Sequence, residues 1–233
     1  MAANSESGER RHLNHQWPLF VTQSAQGAAF SLVRDERRAY DSATFASSPK
    51  KRYIMNIDKI SIGHDAPWDV NAIIEIAAGG MPVKYEMDKE SGALFVDRFL
   101  YTSMYYPGNY GFIPHTLADD GDPCDILVVG PTPVYPGVVI RSRPIGALIM
   151  EDEAGRDEKI LAVPVDKLHP FYANVHSYRQ MPPILIEQIT HFFAHYKDLE
   201  KNKTTNVIGW VEPEAAAQLI REGQERLAKK TGA

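Results

Sequence analysis

Three aspartates, Asp120, Asp122 and Asp125, stand in the stretch "DDGDPCDILVV" at spacings of two and three, with Gly121 and Pro123 between them. A loop bent by glycine and proline can turn all three side chains inward. Carboxylates packed so closely repel and raise one another's pKa unless something cationic sits between them. Hard divalent cations such as Mg²⁺ prefer such oxygen donors. The stretch therefore reads either as a solvated acidic turn or as a cation site. An EF-hand is excluded, because its frame would need glycine at Asp125 and glutamate at or just beyond Pro131.

A second acidic cluster lies in "MEDEAGRDEK". Asp152 and Asp157 flank a turn at Ala154–Gly155, and Lys159 follows Asp157 by two, on the same strand face. Charged hairpin tips are usually just solvated, yet this one carries more carboxylates than a turn requires. Together the two clusters favour a site for several metal ions. Glu75, Lys84, Glu86 and Arg98 interrupt otherwise apolar strands. They fit a wet sheet face with cross-strand ion pairs, or a cationic lining for an anion with carboxylates nearby. Tyr105, Tyr106 and Tyr110 crowd the Pro-Gly turn in "SMYYPGNYGFIP", and Tyr196–Lys197 sits at the edge of a helical stripe. Tyrosines of this kind pack, or donate to phosphate oxygens. His191 and His195 in "HFFAH" lack the glutamate of a zinc-protease motif. Cys124 has no His–Asp partnership and reads as a small apolar residue.

The elements that must position these groups are mainly strands. "NAIIEIAA" is a short apolar strand holding Glu75, and "PVKYEMDKESGALFVDRFL" alternates around a turn at Lys89–Gly92, as a hairpin does. "DILVVGPTPVYPG" is a buried strand, and two more flank Ala154–Gly155. The strongest helix pattern is "PPILIEQITHFFAHYKDLEKN", with Leu185, Ile189, Phe192, Tyr196 and Leu199 in one stripe. A weaker one spans "EPEAAAQLIREGQERLAKK". Strands first and helices last predict an α+β fold on a small closed or strongly curled β barrel.

Of 233 residues, 44% are apolar and 24% charged, ordinary values for a globular protein. No run approaches the roughly 20 apolar residues of a membrane span. The formal charge of −5 gives no basic field for nucleic acid. The single cysteine fits a reducing, cytoplasmic compartment. Residues 1–54 hold no sustained period, and the acidic residues among their arginines do not fit a transit peptide. They are expected to be an N-terminal extension, flexible or a start-site artefact, with Met55 as a natural start and residues 55–233 as the functional domain.

"DGDPCDI" resembles the signature of the soluble family I inorganic pyrophosphatases, Asp-x-Asp-Pro-x-Asp followed by an apolar residue. The similarity continues through "KYE", "DKESGALFVDR", "YPGNYG", "DEAGRDEK" and "HFFAHYKDLEK", about Ile73 to Trp210, and closely resembles the bacterial short form. Cys124 departs from it, at a position where the family usually carries an aliphatic residue. The resemblance implies a five-stranded, OB-like barrel with flanking helices, a homohexamer, and Mg²⁺-dependent hydrolysis of pyrophosphate to two phosphates. It implies Asp120, Asp125, Asp152, Asp157 and Glu86 as metal ligands. Asp122 would be the general base toward a water bridging two metals. Lys84, Arg98, Tyr110, Tyr196 and Lys197 would grip phosphate oxygens, with Glu75, Tyr106 and Lys159 in support. Two readings compete: an OB-like binding module with solvated acidic loops, and a metal-dependent hydrolase of nucleoside polyphosphates.

Overall fold

Alternating and continuous apolar runs make strands that need cover on one face or both, and here they obtain it by curling into a ring. A computed structural model describes residues 55–232, so the expected extension 1–54 lies outside the described residues. The strands are β1 (Gly63–Asp65), β2 (Asp69–Ile76), β3 (Val83–Met87), β4 (Leu94–Phe99), β5 (Asn109–Phe112), β6 (Asp125–Val128), β7 (Val139–Asp152), β8 (Gly155–Pro164) and β9 (Thr205–Val211). Sheet order is β1-β2-β5-β6-β8-β7-β9, and β2 also pairs with β7. That extra pairing closes β2, β5, β6, β8 and β7 into the expected five-stranded ring. β1 is added on β2, and β9 on β7.

Two helices pack on this barrel: α1 (Pro183–His195) and α2 (Pro213–Thr231). The weaker pattern of the two makes the longer helix, because its small Ala216 and Ala217 and its Ile220 are fully buried against the sheet. Strand β9 lies between the helices, which breaks the expected strands-then-helices order. Its sequence "TNVIGWV" shows no clean alternation, and a bulge between Ile149 and Met150 of β7 shifts its register. The stripe of α1 ends earlier than expected. The helix stops at His195, and Leu199 is 62% exposed.

Bulges aim the polar residues. In β2, the partners Ile74↔Gly111 and Ile76↔Tyr110 leave Glu75 as the extra residue, so its side chain turns inward from a strand that is otherwise apolar. In the hairpin, Lys84↔Arg98 and Tyr85↔Val96 leave Asp97 extra. Lys84 and Arg98 then stand side by side, with Asp97 3.0 Å from the Lys84 ammonium. Backbone proximity sets a second constraint: a side chain at Gly111 would collide with the Ile73 carbonyl, so β5 can cross β2 here only as glycine.

Cys124 behaves as the small apolar residue expected. Its buried thiol meets α2 at Gly223, where a Cβ would lie 2.6 Å from Sγ. Burial pushes that thiol up to about 11, far from a reactive thiolate.

Candidate active site

An open cleft of about 310 Å³ at one end of the barrel is lined from both sheets. Parallel pairing of β6 with β8 sets Asp125 beside Lys159, and period-two alternation puts Asp157 on the same face of β8. The buried Lys159 ammonium lies 2.5 Å from Asp125 and also donates to Asp157. Burial works against its charge, but the two carboxylates hold it well above the usual lysine range. Asp157 is itself pushed up, by burial first and by the nearby Asp125 and Asp152 charges.

The acidic loop supplies two carboxylates with different local bonding. Asp120 accepts the Asp122 backbone N–H at 3.0 Å, closing a turn whose centre, Gly121, sits at φ 96°. Burial and the like charges of Asp125, Asp122 and Asp157 push the Asp120 carboxyl up. The Asp122 carboxylate has no backbone duty, is 64% exposed and faces the cleft, 3.4 Å from the Lys89 ammonium. Asp119, the fourth aspartate, points away and pairs on the surface with Arg226 at 3.3 Å.

Opposite, Lys197 follows the end of α1 and donates to Asp152 at 2.9 Å. Its ammonium lies 5.5 Å from the Tyr196 ring centre. The last carbonyls of α1 are not left bare, since Thr102 and Thr205 hydroxyls donate to Tyr196 and Ala194. Glu75 accepts the Met87 N–H at 2.8 Å, and burial pushes it up to about 7 against that hydrogen bond.

The fold thus brings Glu75, Lys84, Glu86, Arg98, Tyr110, Asp120, Asp122, Asp125, Asp152, Asp157, Lys159, Tyr196 and Lys197 to one cleft. Tyr106 is the exception. It is 2% exposed and packs behind the wall, 5.1 Å from the Tyr110 ring and 4.7 Å from Phe192. Its support is therefore by packing against a lining residue. Lys89, Phe112, Glu153 and Lys203 also line the cleft, although their sequence settings do not point to it. Lys89 and Glu153 sit in stretches that read as hairpin turns, and Lys203 lies just beyond a helix pattern that ends at Asn202. No local spacing marks them.

Among the described residues no three acidic or histidine side chains stand close enough to hold one ion as they are. The reason is visible: Asp125 and Asp157 are both turned onto Lys159, which supplies the local positive charge. The donor set nevertheless fits a hard cation. It is all carboxylate oxygen, and eight acidic groups line the cleft against six cationic ones.

The inorganic pyrophosphatase family model matches residues 72–228. The chain belongs to the inorganic pyrophosphatase family. Among its relatives, the inorganic pyrophosphatase of Caulobacter vibrioides is 68% identical over 172 residues, covering 74% of this chain and 97% of that protein. That of Bradyrhizobium diazoefficiens is 61% identical over 178 residues, covering 76% and 100%. The solved inorganic pyrophosphatase of Coxiella burnetii superposes with a TM-score of 0.70 at 52% identity, covering 72% of this chain and 99% of that one. The expected family I, bacterial-type resemblance and OB-like α+β barrel therefore hold. As an inorganic pyrophosphatase the chain is an enzyme, a phosphoanhydride hydrolase. No described helix is long and apolar enough to cross a membrane.

Proposed function

We propose that residues 55–233 form a cytoplasmic, Mg²⁺-dependent enzyme that hydrolyses inorganic pyrophosphate to two phosphates. The observation that carries this reading is the charge of the cleft, whose carboxylates outnumber its cations. A polyanion can enter such a site only if further cations come with it or wait there. Asp120, Asp125, Asp152, Asp157 and Glu86 would hold several Mg²⁺ ions; burial first, and then neighbouring carboxylates, push the Asp120 and Asp157 carboxyls up, and a bound cation would offset both. Bound Mg²⁺ supplies Lewis acidity, making water easier to deprotonate and neutralising phosphate oxygens.

The remaining work belongs to the chain's own groups. Asp122 takes a proton from the attacking water, being the loop carboxylate that faces the cleft without bracing the backbone. Lys84 and Arg98, paired across the hairpin, and Lys197 bind phosphate oxygens and offset charge as the P–O bond breaks. Tyr110 and Tyr196 add hydroxyl donors on rigid rings, both fixed by packing among Tyr106, Phe192 and Phe193. Lys159 holds Asp125 and Asp157 in register, and Glu75 braces the hairpin through the Met87 N–H.

Phosphate release from pyrophosphate and from ATP, each with Mg²⁺ and with EDTA, tests the reading. Selective release from pyrophosphate that EDTA abolishes is the expected result. Release from ATP at a comparable rate favours a nucleoside polyphosphate hydrolase, and release from neither favours a binding module. The active form is proposed to be a homohexamer, with exposed Tyr105 and Ile184 offering apolar surface near and on α1. Sedimentation equilibrium should give the mass of six chains, and a monomer would exclude the assembly.

A further inference from the structure

We propose that Lys89 is a positioning residue: its ammonium ties the tip of the β3–β4 hairpin to Asp122 and keeps that carboxylate turned toward the cleft. The inference rests on the reading of Asp122 as the base. β3 and β4 form a two-stranded sheet of their own, outside the barrel ladder. The hairpin carries the phosphate-gripping Lys84 and Arg98, whereas the acidic loop leads into barrel strand β6. Catalysis requires the two parts to keep a fixed relation, and Lys89 lies where they meet.

The tip is built to hold Lys89 in place. Asp88 accepts from the Ser91 N–H at 2.7 Å and from the Ser91 hydroxyl at 2.5 Å, and the Gly92 N–H donates to the Asp88 carbonyl. From this closed turn the Lys89 ammonium reaches a point 5.6 Å from the centre of the Phe112 ring. Phe112 is the cross-strand partner of Asp125, so the lysine is referenced to the same layer of the barrel as the carboxylates. The ammonium ends 3.4 Å from Asp122 and 3.8 Å from Glu86. Among the described residues no other cationic group lies within 4 Å of Asp122. An exposed carboxylate on a loop has several rotamers open to it, and a base must hold one that faces the cleft. A neighbouring cation selects among them, which acts on turnover more than on substrate affinity.

The test compares Lys89→Met, Lys89→Arg, Asp122→Asn and the Lys89→Met/Asp122→Asn double variant in pyrophosphate hydrolysis with saturating Mg²⁺. Lys89→Met is expected to lower kcat roughly 10- to 100-fold with KM within about twofold, and Lys89→Arg to recover most of it. In the Asp122→Asn background Lys89→Met should have no further effect, because the group it positions is gone. A raised KM at unchanged kcat would make Lys89 a phosphate-binding group and overturn the proposal. So would multiplicative losses in the double variant, or no loss in Lys89→Met. If Asp122→Asn is slow but the losses multiply, only the role of Lys89 fails. Wild-type turnover by Asp122→Asn removes the base reading and the Lys89 proposal with it.

Discussion

Asp122→Asn should lower kcat for pyrophosphate by about 10²- to 10⁴-fold, the range spanned by a lost general base, while divalent cations still bind. The fold has little reason to change. The Asp122 backbone bonds to the Asp120 carboxylate and from the Ala118 N–H do not use its side chain. The substitution weakens only an exposed side-chain pair with Lys89 at 3.4 Å, worth under about 1 kcal/mol. Asn keeps the shape but is neutral, so it cannot take a proton from water as a carboxylate can. Single-turnover phosphate release across a Mg²⁺ titration separates the two effects: the metal dependence should keep its midpoint while the plateau rate drops. A plateau near that of the unsubstituted enzyme would take the base role from Asp122.

Lys159→Met should damage stability and turnover together. Lys159 is 4% exposed and is the cation between Asp125 and Asp157. Methionine fills much of the volume but leaves two carboxylates facing each other. Breaking a buried pair in this way costs about 3 kcal/mol, the low end of the usual range because Asp125 keeps 26% of its side-chain surface exposed. The sign of the pH dependence follows from Asp157, whose carboxyl is already pushed up. With the ammonium gone, its folded-state pKa rises further above the unfolded value, about 3.9 for aspartate. The variant then loses little below that pH and progressively more as pH rises through and above it. Added Mg²⁺ should reduce the deficit if Asp125 and Asp157 hold the metal, since the cation replaces the ammonium. Turnover should fall at least about 100-fold, because the carboxylates no longer keep their register. Thermal unfolding at acid and neutral pH, with and without Mg²⁺, reads the stability effects, and phosphate release reads the turnover. A stability loss that neither pH nor Mg²⁺ alters would remove the pair from the proposed metal site.

Much of the cleft was legible from local spacing because strand alternation and tight turns are local rules. In "KYE", period two puts Lys84 and Glu86 on one face, and "DGDPCD" concentrates carboxylates at a bend whatever the rest of the chain does. The hairpin turn at Lys89–Gly92 and both helices follow from such patterns. The resemblance to a known family then assigned duties that spacing alone left open between solvated turns and a metal site. Elements whose signal is not local were harder to see. β9 has no clean alternation and is a strand because β7 offers it an edge. Leu199 matched the stripe of α1, but the helix ends first at His195.

The amino-acid sequence by itself determined that this chain has two acidic clusters, a charged hairpin and two helices, since each depends on residues within a few positions of one another. Only the tertiary structure decided which of those groups meet. Asp125 and Lys159 are 34 positions apart and become neighbours through parallel pairing of β6 and β8. Glu75 points inward because of a bulge set by β5. Tyr106 is displaced behind the wall by the packing of α1, and Lys89 reaches Asp122 across 33 positions. Register and closure between strands distant in the chain arise from the summed burial of the whole barrel, and no short stretch of sequence encodes them.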